Sequence, residues 1–520
     1  MTALRRRSEL RMKAAIASVG RRARPAPRLD RAKTRTSSMR IPSRPCGIKS
    51  VSDIVPVLWR RVVVLAVPLG ALMVMVVPRY SRSWYFYDEW SLINRVVTVP
   101  NAITAAFEPY NGHLYTAAYI TYKAAILVGL DGHAVVWSVF CLSLLGMNAG
   151  VALVLWRAGV RPLLAVIAGA VVTYYGPGAQ LATFEILFTW NGAIALPLIA
   201  AYLVIRKDAD ESVGIALWVG SLLLVAIGFD SASSYGGLLF VGVLAVWRWR
   251  FRLAAVALVP ALVGSVTFQL LAGGVPASSP ASVGQKISLF WHLLMLPIGG
   301  FVGGGVLAGI VVCCSALAVV GFVVAKEGFG HLPSFQVLVA GLAAAFALDG
   351  AVALTRAAVV GTDYLNFNRY VGLIGVYLMV ATLPVILDGA WTILARYGAL
   401  SCARGAVTVV LGMGLLTGFV LNMSTFDFYR SLIEGWEGQT HAEVTEVVRV
   451  VARGCPVGQK LNLAARPLGS LDPQLTVGLI DELVKMGSLW IPAHSESSVK
   501  SSTIPPPAMQ QGMMHSVCSS

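Results

Sequence analysis

Long apolar runs separated by short polar turns dominate the chain. The runs predict helices at Val57–Val77, Ala134–Trp156, Pro162–Tyr175, Ala193–Ile205, Val213–Phe229, Tyr235–Val246 and Leu253–Leu271. Further runs lie at Gly300–Ala325, Phe335–Leu354, Tyr370–Leu394 and Ala406–Leu421. Apolar stretches near twenty residues match the thickness of a bilayer core. The pattern predicts an all-α polytopic membrane protein with about eleven spans, ten to twelve allowing for the Gly-rich stretch 287–325.

One segment breaks the rhythm. Residues 78–132 form a long loop after the first span, in which Asp88–Ala106 and Gly112–Leu130 are predicted helical. In the second of these, Tyr115, Tyr119, Tyr122 and Ile126 recur at helical spacing, while Lys123 and several Thr and Tyr favour an interfacial position. The segment 424–520 is a tail in which TVGLIDELVKMGSLWIP predicts an amphipathic helix followed by a short strand. From Ser495 the tail is low-complexity.

Composition agrees with this reading. The chain is 57% hydrophobic and 13% charged, with a mean hydropathy of +0.72, against about 25% charged residues in soluble domains. The net charge of +16 is localised. Up to Arg61 there are seventeen Lys or Arg and three acids, Glu9, Asp30 and Asp53, so this stretch carries +14 and the remainder only +2. That is a basic disordered tail over 1–55, on the cytoplasmic side against anionic lipid, and not a nucleic-acid surface. No apolar stretch closely follows its arginines, as a signal peptide requires, and Met12 and Met39 are alternative starts.

Charges then test the topology. Predicted inside turns hold Arg157, Arg161, Arg206, Lys207, Arg248, Arg250, Arg252, Lys326, Arg396 and Arg404, as the positive-inside rule expects. The seven cysteines show no metal-ligand spacing; Cys455 and Cys518 share the tail and are placed to pair if it lies outside.

The candidate chemistry sits in the first outer loop, WYFYDEWSLINRVVTVPNAITAAFEPYNGH. Asp88 and Glu89 follow a run of aromatics, and either suits a general base or a ligand for a divalent cation; a helix N-cap is the plain alternative for Asp88. Glu108, Asn111 and His113 form a second cluster, with His113 an acid/base, a phosphate or sugar contact, or an ordinary interfacial histidine. Arg356 and Arg369, with Asp363, Asn366, Asn368 and Tyr370, flank a late outer loop, where arginines bind phosphate or merely snorkel. Glu185 and Asp230 fall at outer loop ends, where they line an outer cavity or, as the plainer reading, are simply interfacial acids. Asp349, inside a span, is a functional candidate by its position.

One early span, a long first outer loop with an acidic pair after aromatics, interfacial helices and a late outer Arg-Tyr resemble the GT-C membrane glycosyltransferases. The resemblance covers residues 57–423 in architecture. It implies Asp88 as catalytic carboxylate with Glu89 beside it, and Arg369, less directly Arg356, near a donor phosphate. It further implies a polyprenyl-phosphate sugar donor, membrane lipids as surroundings, and an envelope glycan, glycolipid or protein as acceptor on the extracytoplasmic face. The Ala/Val/Arg/Gly-rich composition is similar to that of actinobacterial membrane proteins. A transporter and a non-catalytic scaffold are the rival classes.

Overall fold

The computed structural model describes residues 57–81, 83–85, 88–110, 113–130, 133–175, 178–205, 213–248, 251–271, 281–301, 305–327, 333–360, 364–396, 400–452 and 477–489. The basic tail 1–55, Asn111, Asp363, Cys455 and Cys518 lie outside them.

Among the described residues the chain is helical throughout, without strands. Helix α1 is Val57–Met75. The first loop carries α2 (Asp88–Thr98), α3 (Ala102–Phe107) and α4 (Thr116–Val128). Then follow α5 (Ala134–Arg157), α6 (Pro162–Thr173), the single turn α7 (Gln180–Thr183), α8 (Phe188–Ile205), α9 (Val213–Phe229), α10 (Ser231–Trp247) and α11 (Phe251–Leu271). The rest are α12 (Val283–Phe301), α13 (Val306–Glu327), α14 (Pro333–Val360), α15 (Tyr364–Arg396), α16 (Leu400–Leu421), α17 (Met423–Ala452) and α18 (Val477–Lys485). Among the described residues four segments, Ala134–Arg157, Glu185–Ile205, Ser334–Ala358 and Asn368–Ile386, are long and apolar enough to cross a membrane, and eight shorter apolar helices accompany them.

Several boundaries differ from the sequence reading. The helix expected over Asp88–Ala106 is two helices. Pro100 disfavours helical backbone at Val99, and Asn101 starts α3 anew by accepting from the Ile103 and Thr104 amides at 3.0 and 3.2 Å. The span expected at Gly300–Ala325 is α13, starting later at Val306, and a further helix, α12, precedes it at Val283–Phe301. Trp190 and Asn191, expected in a loop, lie in the first turn of α8, buried. After α18, Gly487 turns the chain at φ 69° and Ser488 packs on α4 where a strand was expected.

Helix α10 fixes the polarity of the bundle. Asp230 caps its start; Arg248, at its end, donates to the Ile205 carbonyl (2.7 Å) and to Gln336 (2.9 Å). Seventeen residues put these ends about 25 Å apart. Gly236 and Gly237 let α10 lie close to its neighbours, because a Cβ there would collide with Leu348 of α14 and with Pro197 of α8. The end marked by Asp230 also carries the first loop, the 178–188 connector and the start of α15; the Gln180 amide donates to Asn368 at 2.9 Å. The C-terminal helices join this end. Trp84 meets the His441 ring at 4.5 Å, and the Leu130 amide donates to the Ser488 carbonyl at 2.7 Å.

Candidate functional site

Asp88 opens α2, where the helix dipole favours a carboxylate. Its Oδ1 accepts from the Tyr110 hydroxyl at 2.9 Å. Burial pushes its carboxyl above the ordinary aspartate value, while the nearby Arg369 guanidinium and the Tyr110 hydrogen bond pull it back. A carboxylate so placed is a better proton acceptor near neutral pH than an exposed one.

Arg369, near the start of α15, lies over the rings of Trp190 (5.8 Å) and Tyr370 (5.4 Å), which themselves pack at 5.3 Å. The Trp190 indole donates to the Tyr115 hydroxyl at 3.4 Å. Tyr115 also packs edge-on against the rings of Tyr110 and His113. Burial, then the Asp230 charge, raises the Tyr115 phenol well above its usual value, so it is a neutral donor.

His113 stands at the junction. A two-way backbone pairing with Tyr110 fixes its position, N–H to O at 2.9 Å in each direction. Its Nδ1 faces Asp230 Oδ1 at 3.7 Å, and its Nε2 lies 3.1 Å from Arg356 Nη2. Burial lowers the imidazole pKa, Asp230 opposes that, and the two arginines reinforce it.

The structure therefore gathers Asp88, His113, Arg356, Arg369 and Tyr370 of the expected residues, and adds Tyr110, Tyr115, Trp190 and Asp230. Two expected residues go elsewhere. Glu108 pairs with Arg95 at 2.8 Å on an exposed edge. Glu89, fully buried, accepts from Tyr122 at 2.6 Å. Successive helical residues point about 100° apart, so an adjacent pair on α2 divides between two neighbourhoods. Asp88 and Glu89 bond to different partners, and among the described residues no three His, Cys, Asp or Glu side chains come together as a metal site.

Glu89 belongs to a buried ionic network behind the site. Arg79 reaches Glu185 (3.3 Å), Glu434 (3.4 Å) and Glu437 (3.8 Å). Burial and the Glu185 charge hold the Glu437 carboxyl well above the glutamate range, with Arg79 opposing and Glu89 adding to the rise. His133 nearby stays neutral, lowered to about 4 by burial. Glu185 thus pairs with Arg79, and Asp230 faces the His113 ring, each partner more than one hundred residues away in the chain. No local motif signals them.

No protein-family model, no curated protein and no solved structure matches the chain.

Proposed function

We propose that the chain is a multi-pass membrane glycosyltransferase of GT-C-like architecture, moving a sugar from a polyprenyl-phosphate donor to an envelope acceptor. Its α1 and the apolar helices from α5 to α16 cross the bilayer eleven or so times. The Asp230 end of the bundle faces the extracytoplasmic side, and the basic N-terminal tail stays in the cytoplasm.

One observation carries the reading: a buried carboxylate and two arginines meet among aromatic rings at one end of an apolar bundle. A lipid-linked donor keeps its tail in hydrocarbon and its phosphate at that level. Arg369 and Arg356 balance the charge on the departing phosphate. Asp88 takes the proton of the acceptor hydroxyl as oxygen attacks the anomeric carbon. Trp190, Tyr115 and Tyr370 supply apolar faces for the sugar ring. Direct attack inverts the anomeric centre.

The test is complementation of a deletion strain by Asp88→Asn, with membrane insertion verified. A normally inserted variant that shortens an envelope glycan, accumulates its lipid-phosphate donor and lowers transfer about 10²–10⁴-fold supports the reading. A wild-type glycan profile rejects it.

Asp349 favours a second reading. It is fully buried within α14, and among the described residues neither carboxyl oxygen has a hydrogen-bond partner. An intramembrane acid suits proton-coupled transport of a lipid-linked substrate. Loss of substrate movement in Asp349→Asn vesicles, with transfer intact in detergent, selects that reading.

A further inference from the structure

The contact between Arg356 and His113 has only one chemical sense. A guanidinium is always protonated and carries donors alone, so across the 3.1 Å gap it donates and His113 Nε2 accepts. An accepting Nε2 is a lone pair, and the ring is then neutral with its proton on Nδ1. That nitrogen faces Asp230 Oδ1 at 3.7 Å, longer than a hydrogen bond yet close enough for the carboxylate charge to favour the proton there.

Asp230 is held in turn. Its Oδ1 accepts from the Ala232 amide (3.0 Å) and its Oδ2 from the Ser233 hydroxyl (2.6 Å), at the start of α10. The adjacent Ser231 hydroxyl accepts from the Leu114 amide at 3.0 Å, tying the histidine's own strand of the loop to the same turn. A chain of fixed contacts thus runs from the α10 cap through the imidazole to a guanidinium on α14. Fixing one donor of a planar five-donor fork narrows the directions in which the others can point.

We infer that Asp230 and His113 are positioning residues that hold the Arg356 guanidinium towards a phosphate-bearing ligand, and do so only while the imidazole is neutral. The inference rests on the donor reading above for the ligand's identity. Every charged or titratable group facing the ring fits this role. Asp230 comes from the α9–α10 turn, Arg356 from α14, Arg369 from α15, and Tyr110 and Tyr115 from the first loop. Arg356 and Arg369 are opposed here by two carboxylates, Asp230 beside the imidazole and Asp88 beside Arg369, so the guanidiniums are held close to charge balance before a ligand arrives. A protonated His113 would be a third cation, without the lone pair that Arg356 needs. Burial already lowers its pKa, so release of Arg356 falls on the acid side of the ordinary histidine range. His113 is accordingly not the base of the reaction, a role left to Asp88.

The experiment uses the full-length protein in lipid nanodiscs and titrates farnesyl phosphate and inorganic pyrophosphate from pH 8 to 5. Wild type is expected to bind farnesyl phosphate and to lose affinity as pH falls. His113→Leu, which offers no acceptor, is expected to bind about tenfold to a hundredfold more weakly at pH 7.5. His113→Gln offers an amide oxygen that does not titrate, so binding is retained and the pH dependence flattens. Asp230→Asn removes the charge that favours the imidazole proton, so the midpoint moves to lower pH. Thermal melting of each variant verifies the fold. Binding by His113→Leu equal to wild type, or an unchanged pH profile in His113→Gln, overturns the inference and leaves the transferase reading standing. Pyrophosphate binding with the His113-dependent profile, but none of farnesyl phosphate, overturns the lipid-linked donor and keeps the relay. Binding of neither probe overturns both.

Discussion

Asp88 and Glu89 are adjacent in the chain and answer to different tyrosines: Tyr110 donates to the first at 2.9 Å and Tyr122 to the second at 2.6 Å. One carboxylate joins the arginine cluster; the other joins the buried network behind it. Tyr122→Phe removes a buried donor from Glu89 and is expected to cost about 1–3 kcal/mol of stability. Thermal melting in detergent reads this. An unchanged melting temperature would mean that Glu89 does not depend on the hydroxyl.

Tyr110→Phe acts on the other carboxylate. The hydroxyl stabilises the charged form of Asp88, so its loss raises the carboxyl pKa further. A base must be ionised to work, and the acid limb of the transfer rate therefore moves to higher pH. A pH–rate profile with an unmoved limb argues against Asp88 as the base.

Glu437 sets a pH dependence of stability with the opposite sense to that of a salt-bridged acid. Its folded pKa is raised, so its stabilising contribution is fully present below the ordinary glutamate value near 4.5 and is lost as pH rises through the folded value. Melting across this window is expected to weaken with rising pH, and Glu437→Gln, a permanent mimic of the protonated acid, to flatten the trend. Arg79→Leu strands Glu185 and is expected to cost about 3–5 kcal/mol.

Gly237→Ala tests the packing that sets the site's depth. The added methyl meets Pro197 of α8 and the Tyr377 hydroxyl of α15. Overpacking of this kind costs about 1–3 kcal/mol. The displaced α10 carries Asp230 with it, and phosphate-probe affinity is expected to fall together with melting temperature. A fall in neither shows that α10 can shift freely.

Much of the architecture was legible because hydropathy is a local property. The alternation of apolar runs and basic turns marks α5, α8 through α10 and α14 through α16, even where boundaries move by a turn. Asp88 stood out as an acid after aromatics, and Arg356 and Arg369 as arginines flanking a late outer loop. Tyr110 and Tyr115 did not, because a tyrosine in an aromatic-rich loop carries no sign of what it bonds to. Glu185 and Asp230 looked like interfacial acids because their partners, Arg79 and His113, lie 106 and 117 positions earlier. The tail hid its role for the same reason. Ser488 donates to the Ile126 carbonyl across 362 positions, a pairing no sequence window spans.

The order in which the site's parts leave the ribosome has its own meaning. Asp88 and His113 are made early, Trp190 and Asp230 follow, and the two arginines come only with α14 and α15. A nascent chain halted before residue 356 has the acid and the imidazole but neither guanidinium, so on the proposed transferase reading it has nothing to hold a donor phosphate. The cluster is therefore complete only once the start of α15 has been made, long after its first carboxylate.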